Sequence, residues 1–232
     1  MGNKITLYHG SQQVIETPQL GVGNPHNDYG LGFYCTEAEE LAKEWACSAE
    51  LGGFANKYEL DITGLSVLKL TNGDYHILNW LSVLLENRTF RIREDIAVRA
   101  KDYILEYFAV DYKAYDVVKG YRADDSYFSF ASAFLHNTIS LKQLEKAMVL
   151  GKLGEQVVPR TGKAFEALSF QEAKAVDKEI YYPKKLARDT TARAAFQEEK
   201  RVGFLDNEVY VVDIMRGRWQ NDDTRLQRIV LR

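Results

Sequence analysis

The stretch from Lys4 to Glu50 constrains the fold most, because its backbone preference changes from one short segment to the next. Lys4–His9 puts Ile5 and Leu7 on one face and reads as a strand. Gly10–Leu31 carries Gly21, Gly23 and Gly30, Pro18 and Pro25, with Asn and Asp among them, and reads as a long irregular loop. Gly32–Thr36 returns to strand chemistry. Thr36 followed by Glu37 and Glu39 is an N-cap pattern for a helix that runs through Glu50, with Ala38, Leu41, Ala42, Trp45 and Ala49 at helical spacing. A long ordered loop held between a strand and a helix is more often functional than decorative.

The rest of the chain keeps alternating. Lys57–Ile62 and Leu65–Leu70 read as strands flanking a Thr63-Gly64 turn. Tyr75–Glu86 and Glu94–Val110 read as amphipathic helices, and Tyr115–Gly120 as a short apolar strand. Asp124–Leu135 and Leu141–Val149 look helical, Leu153–Pro159 and Ala167–Phe170 extended, and Pro183–Val202 strongly helical. Glu208–Trp219 fits a strand through Val209, Val211, Val212 and Ile214, or a helix through Val209, Val212 and Met215-Arg216; the helix is the better fit. The strands are too scattered for a doubly wound βαβ pattern, so the expected class is α+β.

Composition is that of a globular chain: 232 residues, 46% hydrophobic and 27% charged, with net charge −3. Such a length buries a core without staples. Cys35 and Cys47 form no framework, and His9, His26, His76 and His136 are scattered, so no metal site is expected. Charges are interspersed. Lys184, Lys185, Arg188, Arg193, Lys200 and Arg201 gather on one helix, but acids are mixed in, and a solvated helix face accounts for them better than a nucleic-acid stripe. No signal pattern or apolar run of membrane-spanning length occurs, which reads as cytoplasmic, or delivered elsewhere by a route not visible in the sequence.

Familiar machineries are missing. There is no phosphate loop of the GxxxxGK[ST] type, no GxSxG elbow and no HExxH, and Gly21-Val22-Gly23 does not open a helix after a strand. Three segments remain. Leu7-Tyr8-His9-Gly10-Ser11 ends a strand in a histidine, a glycine and a hydroxyl. Tyr29-Gly30-Leu31-Gly32-Phe33-Tyr34-Cys35-Thr36 sets two glycines before paired aromatics. Gly154-Glu155-Gln156-Val157-Val158 puts a carboxylate at the head of a late strand. Asp124 and Asp125 are explained adequately as an N-cap and a first-turn acid.

The three segments, in this order, resemble the poly(ADP-ribose)-polymerase-like ADP-ribosyltransferases, which carry a His–Tyr–Glu signature. His9-Gly10-Ser11 stands at the first motif, Gly30-Leu31-Gly32-Phe33-Tyr34-Cys35-Thr36 at the second, and Glu155-Gln156-Val157-Val158 at the third, with Trp45 where the family has a helix aromatic over nicotinamide. The YHGS start, the Asp28–Tyr34 block, Ala123-Asp124-Asp125 and the Tyr181–Lys185, Ala187–Asp189 stretch are similar to an uncharacterised bacterial family of that superfamily, up to about Arg201.

The resemblance implies an ADP-ribosyltransferase-like split antiparallel sheet core with inserted and C-terminal helices. It also implies a domain over residues 1–202 with an extension, 203–232, packed on it. It implies NAD as co-substrate, no metal, and transfer of ADP-ribose to a macromolecule, protein more than nucleic acid, with NAD glycohydrolase activity where no acceptor is present. Bacterial relatives of this kind often act as toxins or effectors with a small neutralising partner. The alternative is a catalytically silent module that binds NAD, ADP-ribose or a protein through the same cleft. By the same resemblance His9 holds the adenosine ribose hydroxyls. Gly10 pairs its backbone with the carboxamide, Ser11 completes the motif as a further cofactor-binding residue, and Tyr34 and Trp45 flank the nicotinamide. Trp45 reads equally well as core. Glu155 holds the ribose 2′-hydroxyl and stabilises positive charge as nicotinamide leaves. Gln156 is the alternative occupant of the third motif, and an amide there carries no charge.

Overall fold

The computed structural model describes residues 3–123, 125–149 and 154–226. In chain order the elements are β1 (Lys4–Ser11), α1 (Glu39–Ala46), β2 (Gly53–Asp61), β3 (Val67–Lys69), α2 (Ile77–Asn87), α3 (Asp95–Tyr107), a 3-10 turn (Tyr112–Ala114), β4 (Val117–Tyr121), α4 (Asp125–Leu135), α5 (Leu141–Val149), β5 (Glu155–Pro159), α6 (Gly162–Glu166), β6 (Leu168–Val176), α7 (Lys178–Arg201) and α8 (Val211–Arg216). They fall into two compact units. One is Met1–Lys69, Asp111–Arg122 and Gly154–Arg188; the other is Leu70–Val110, Ala123–Leu153 and Asp189–Arg232.

The first unit is α+β, with two three-stranded sheets in the orders β1-β2-β6 and β3-β4-β5. The first sheet is antiparallel throughout. In the second, β4 and β5 are antiparallel but β3 runs parallel to β4. A wholly antiparallel core, as the resemblance implies, leaves no place for that parallel pair; the chain returns to β4 only after α2 and α3, a connection long enough for the crossover a parallel pair needs. Between the sheets runs the segment Phe33–Thr36. Tyr8 and Thr36 exchange backbone hydrogen bonds of 2.8 and 2.9 Å, and Cys35 and Val157 bonds of 3.0 and 2.8 Å. Alternation sends Leu7, Phe33, Cys35, Tyr58, Leu60, Val117 and Val157 into one core. Each large side chain buried there stabilises by about 1.5–3 kcal/mol.

Local chemistry explains where the elements deviate from expectation. α1 stops at Ala46, well before Glu50, and Cys47 is already extended. Its N-cap is Ala38, which makes no side-chain cap bond; Thr36 instead accepts from the Ala38 N–H at 3.2 Å. β2 and β6 are longer than their apolar centres. They pair from Gly53↔Val176 to Leu60↔Leu168, and the polar residues near Glu172 and Lys174 sit on the solvent side of an edge strand. α7 begins at Lys178, not Pro183, because Asp177 caps it by accepting from Glu179 N–H at 2.9 Å.

The second unit is helical. α2 is buried on nearly every side rather than on one face. Its polar residues are satisfied: Asn79 Nδ2 and Ser82 Oγ both donate to Phe108 O, at 3.1 and 2.8 Å. α3 packs on α2, α4 and α8. Glu208–Trp219 holds the short helix α8. Asp124 and Leu153 lie outside the described residues, as do residues 150–152. Among the described residues no helix is long and apolar enough to cross a membrane.

Candidate functional site

All of the candidate residues belong to the first unit. β1 delivers His9, Gly10 and Ser11; the Phe33–Thr36 segment beside it delivers Tyr34; β5 on the far side of that segment delivers Glu155 and Gln156. α1 carries Trp45.

His9 and Tyr34 meet directly. His9 Nδ1 lies 2.8 Å from Tyr34 O. A carbonyl only accepts, so Nδ1 holds the proton and Nε2 keeps a lone pair. The ring packs against Phe33, with centroids 4.4 Å apart and the planes tilted by 30°. Burial pushes the His9 pKa below the ordinary histidine value, with the Tyr34 bond opposing. The Tyr34 hydroxyl is committed to its own loop: it donates to Gly30 O at 2.7 Å and accepts from Tyr29 N–H at 3.0 Å.

Gly10 is where strand pairing divides. Asn3 O accepts from Ile62 N–H, which fixes the odd-numbered residues of β1 as those bonded to β2. Tyr8 and Gly10 therefore turn their polar groups the other way. Those of Tyr8 meet Thr36; those of Gly10 meet no partner among the described residues. Its missing side chain is equally constrained: a Cβ on Gly10 would lie 2.0 Å from Ala42 O and 2.7 Å from Ala46 N of α1. Ser11 is engaged locally, donating to Gln13 O at 2.5 Å and accepting from buried Asn56 Nδ2 at 3.0 Å.

The second cluster lies at the head of β5. Glu155 Oε2 is 3.0 Å from Lys119 Nζ, and Lys119 also binds Glu37. Burial opposes charge on Lys119, yet the two carboxylates raise its pKa above the ordinary lysine value. Tyr121, opposite Glu155 in the β4–β5 ladder, is pushed up to about 12 by burial and then by the Glu155 charge. Arg122 sets its guanidinium 4.7 Å from the centroid of the Trp45 ring and donates its N–H to Gly154 O at 3.3 Å. Gly154 has φ +76°, and a Cβ there would lie 2.4 Å from Leu41 Cδ1. So α1 meets Gly10 through the backbone of Ala42 and Ala46 and Gly154 through the Leu41 side chain, and Trp45 lies on that helix. Trp45 Nε1 and Gln156 Oε1 are buried with no hydrogen-bond partner among the described residues, an arrangement that costs about 1–3 kcal/mol per group unless a ligand or water satisfies it.

Lys119, Arg122 and Asn56 are not apparent from motif reading. Their signal was present: two cations flank Gly120-Tyr121 on an otherwise apolar strand, and an asparagine sits inside a strand, where it is disfavoured. A cavity of about 420 Å³ in the second unit, lined by Glu94, Ser129, Ser132, His136, Thr138 and Lys200, includes none of the candidate residues. Among the described residues no group of His, Cys, Asp and Glu could hold a metal ion.

No curated protein and no solved structure matches the chain. A family model does: DUF3990, described as a protein of unknown function, matches residues 5–170, a span that takes in His9, Gly10, Tyr34, Trp45 and Glu155, and the chain belongs to that family.

Proposed function

We propose that this protein is an NAD-dependent mono-ADP-ribosyltransferase of the poly(ADP-ribose)-polymerase-like type, transferring ADP-ribose to a macromolecular acceptor and hydrolysing NAD where none is present. The observation that carries the reading is that β1 bridges the Phe33–Thr36 segment at Tyr8 and Thr36 but not at Gly10, whose N–H and C=O face the same side without that strand partner. A carboxamide needs one donor and one acceptor, which a bare glycine backbone supplies. Beside it, His9 offers Nε2 as an acceptor for a ribose hydroxyl. Tyr34 and Trp45 supply aromatic surface for the nicotinamide, and the buried unpartnered Trp45 Nε1 and Gln156 Oε1 are polar groups of the kind a ligand satisfies. Glu155 is the carboxylate that stabilises positive charge developing on the ribose. The two sheets linked by one short segment suit the split core of that superfamily. Mixed surface charge favours a protein acceptor over nucleic acid. A cytoplasmic or delivered toxin or effector with a small neutralising partner fits this chemistry by analogy.

One contact favours a second reading, a silent NAD- or ADP-ribose-binding module: Lys119 already ion-pairs Glu155. Purified protein mixed with labelled NAD, with and without bacterial lysate, separates the two. Label transfer or free nicotinamide, lost in Glu155→Ala, supports the transferase. NAD binding without nicotinamide release selects the silent module, and no binding at all sinks both.

A further inference from the structure

The cations at the start of α7 make specific contacts as well as facing solvent. Tyr181, Lys184, Lys185 and Arg188 recur at the spacing of one helix face, and each meets α1 or the residues just after it. Tyr181 OH and Lys184 Nζ reach Glu40 at 3.2 and 3.3 Å. Lys185 Nζ donates to Cys47 O at 3.0 Å, where α1 ends and cations are favoured. Lys178 Nζ donates to Ala49 O at 3.4 Å. Arg188 grips Glu44 with two bonds, Nε at 2.9 Å and Nη2 at 2.8 Å, and Glu44 is only 3% exposed. Tyr181 and Tyr182 also pack on the small core of Ala46, Cys47, Ala55 and Val176.

α1 needs such support. It is eight residues long and has no side-chain N-cap bond, and a helix that short is marginal on its own. Its position nonetheless matters at ångström scale, because Gly10 and Gly154 are both pressed against it and it carries Trp45.

We infer that the Tyr181–Arg188 face of α7 is a clamp that fixes α1, and that Arg188 is a positioning residue for Trp45 through Glu44. The clamp stands on these contacts; its consequence for ligand rests on the NAD reading above. Amide hydrogen exchange on the full chain tests it, with wild type, R188M, K185Q and the double variant E44Q/R188M, which leaves no buried charge without a partner. The expected result is exchange about tenfold faster across residues 39–46 in R188M and in the double variant, a smaller increase in K185Q, and unchanged protection in β2. Unchanged protection of residues 39–46 in the folded double variant overturns the clamp, and so does an equal loss of protection in β2, which marks general destabilisation. Calorimetry with NAD reads the consequence: affinity falls about tenfold in R188M, and R188K lies between. A loosened α1 with unchanged NAD affinity overturns the positioning role. A wild type that binds no NAD removes the proposed function, while the exchange result still decides the clamp.

Discussion

His9 Nδ1 stands 2.8 Å from the carbonyl oxygen of Tyr34, so the histidine of the first motif is fastened to the backbone of the second. The bond selects one neutral tautomer and aims the remaining lone pair of Nε2 away from Tyr34. Burial lowers the pKa of this ring, so the folded state takes up a proton at lower pH than the unfolded chain, which does so near about 6.5. The stability that His9 contributes is therefore present above that pH and is lost as pH falls through the lowered folded value. Thermal unfolding at pH 7.5 and 5.5 checks this: the wild type should lose more stability between them than His9→Gln does. Equal losses would remove His9 from the account.

Gly10→Ala is expected to be among the most damaging small substitutions in the chain. The new methyl would meet the Ala42 carbonyl and the Ala46 amide, both backbone groups that cannot rotate aside. A cost of about 3 kcal/mol, or failure to fold, is the expectation, read by denaturant titration. A folded variant with wild-type stability would mean that α1 sits further from β1 than 2.0 Å from the Cβ position implies.

Glu155→Gln keeps the shape of the side chain and removes its charge. If Glu155 stabilises developing positive charge, nicotinamide release should fall by about 10²–10³-fold while NAD affinity changes little. Initial rates and equilibrium binding measured on one preparation give both numbers. A parallel fall in affinity and rate would make Glu155 a binding group only.

A carboxyl of the second unit gives a pH signature of opposite sign. Burial pushes Glu145, on α5, up to about 7. An acid with a raised folded pKa contributes its full share below the unfolded value, near about 4.3, and loses it as pH rises through the folded one. Glu145→Gln should thus match the wild type at pH 5 and exceed it at pH 8 by about 1 kcal/mol, allowing for the solvent that still reaches the group. Chemical denaturation at the two pH values decides it.

Element existence was legible because it depends on local period. The limits of α5, Leu141–Val149, and the centres of β1 to β5 follow from apolar spacing, whereas α6 and the second half of β6 do not. Ends were less legible. Pro183 is the stronger local helix-start signal although Asp177 is the residue that caps α7, and Gln171–Lys174 has no apolar alternation to mark it as strand before β2 pairs with it. In the site, His9, Gly10, Tyr34 and Glu155 were readable as motif positions. Lys119, Arg122 and Asn56 were not, since no motif names them and each gains its meaning from a residue far along the chain.

The sequence by itself determined the alternation of strand, loop and helix around Gly10 and Tyr34, the α+β class, and the family. Those properties reside in side-chain period and short-range turn chemistry, which the chain carries wherever it goes. Only the tertiary structure decided that β3 runs parallel to β4, that Lys119 faces Glu155, that Gly10 is needed because α1 crosses it, and that Arg188 reaches buried Glu44. Partners so distant in sequence are brought together by burying a shared core, and no local pattern encodes which charge meets which once water has been excluded.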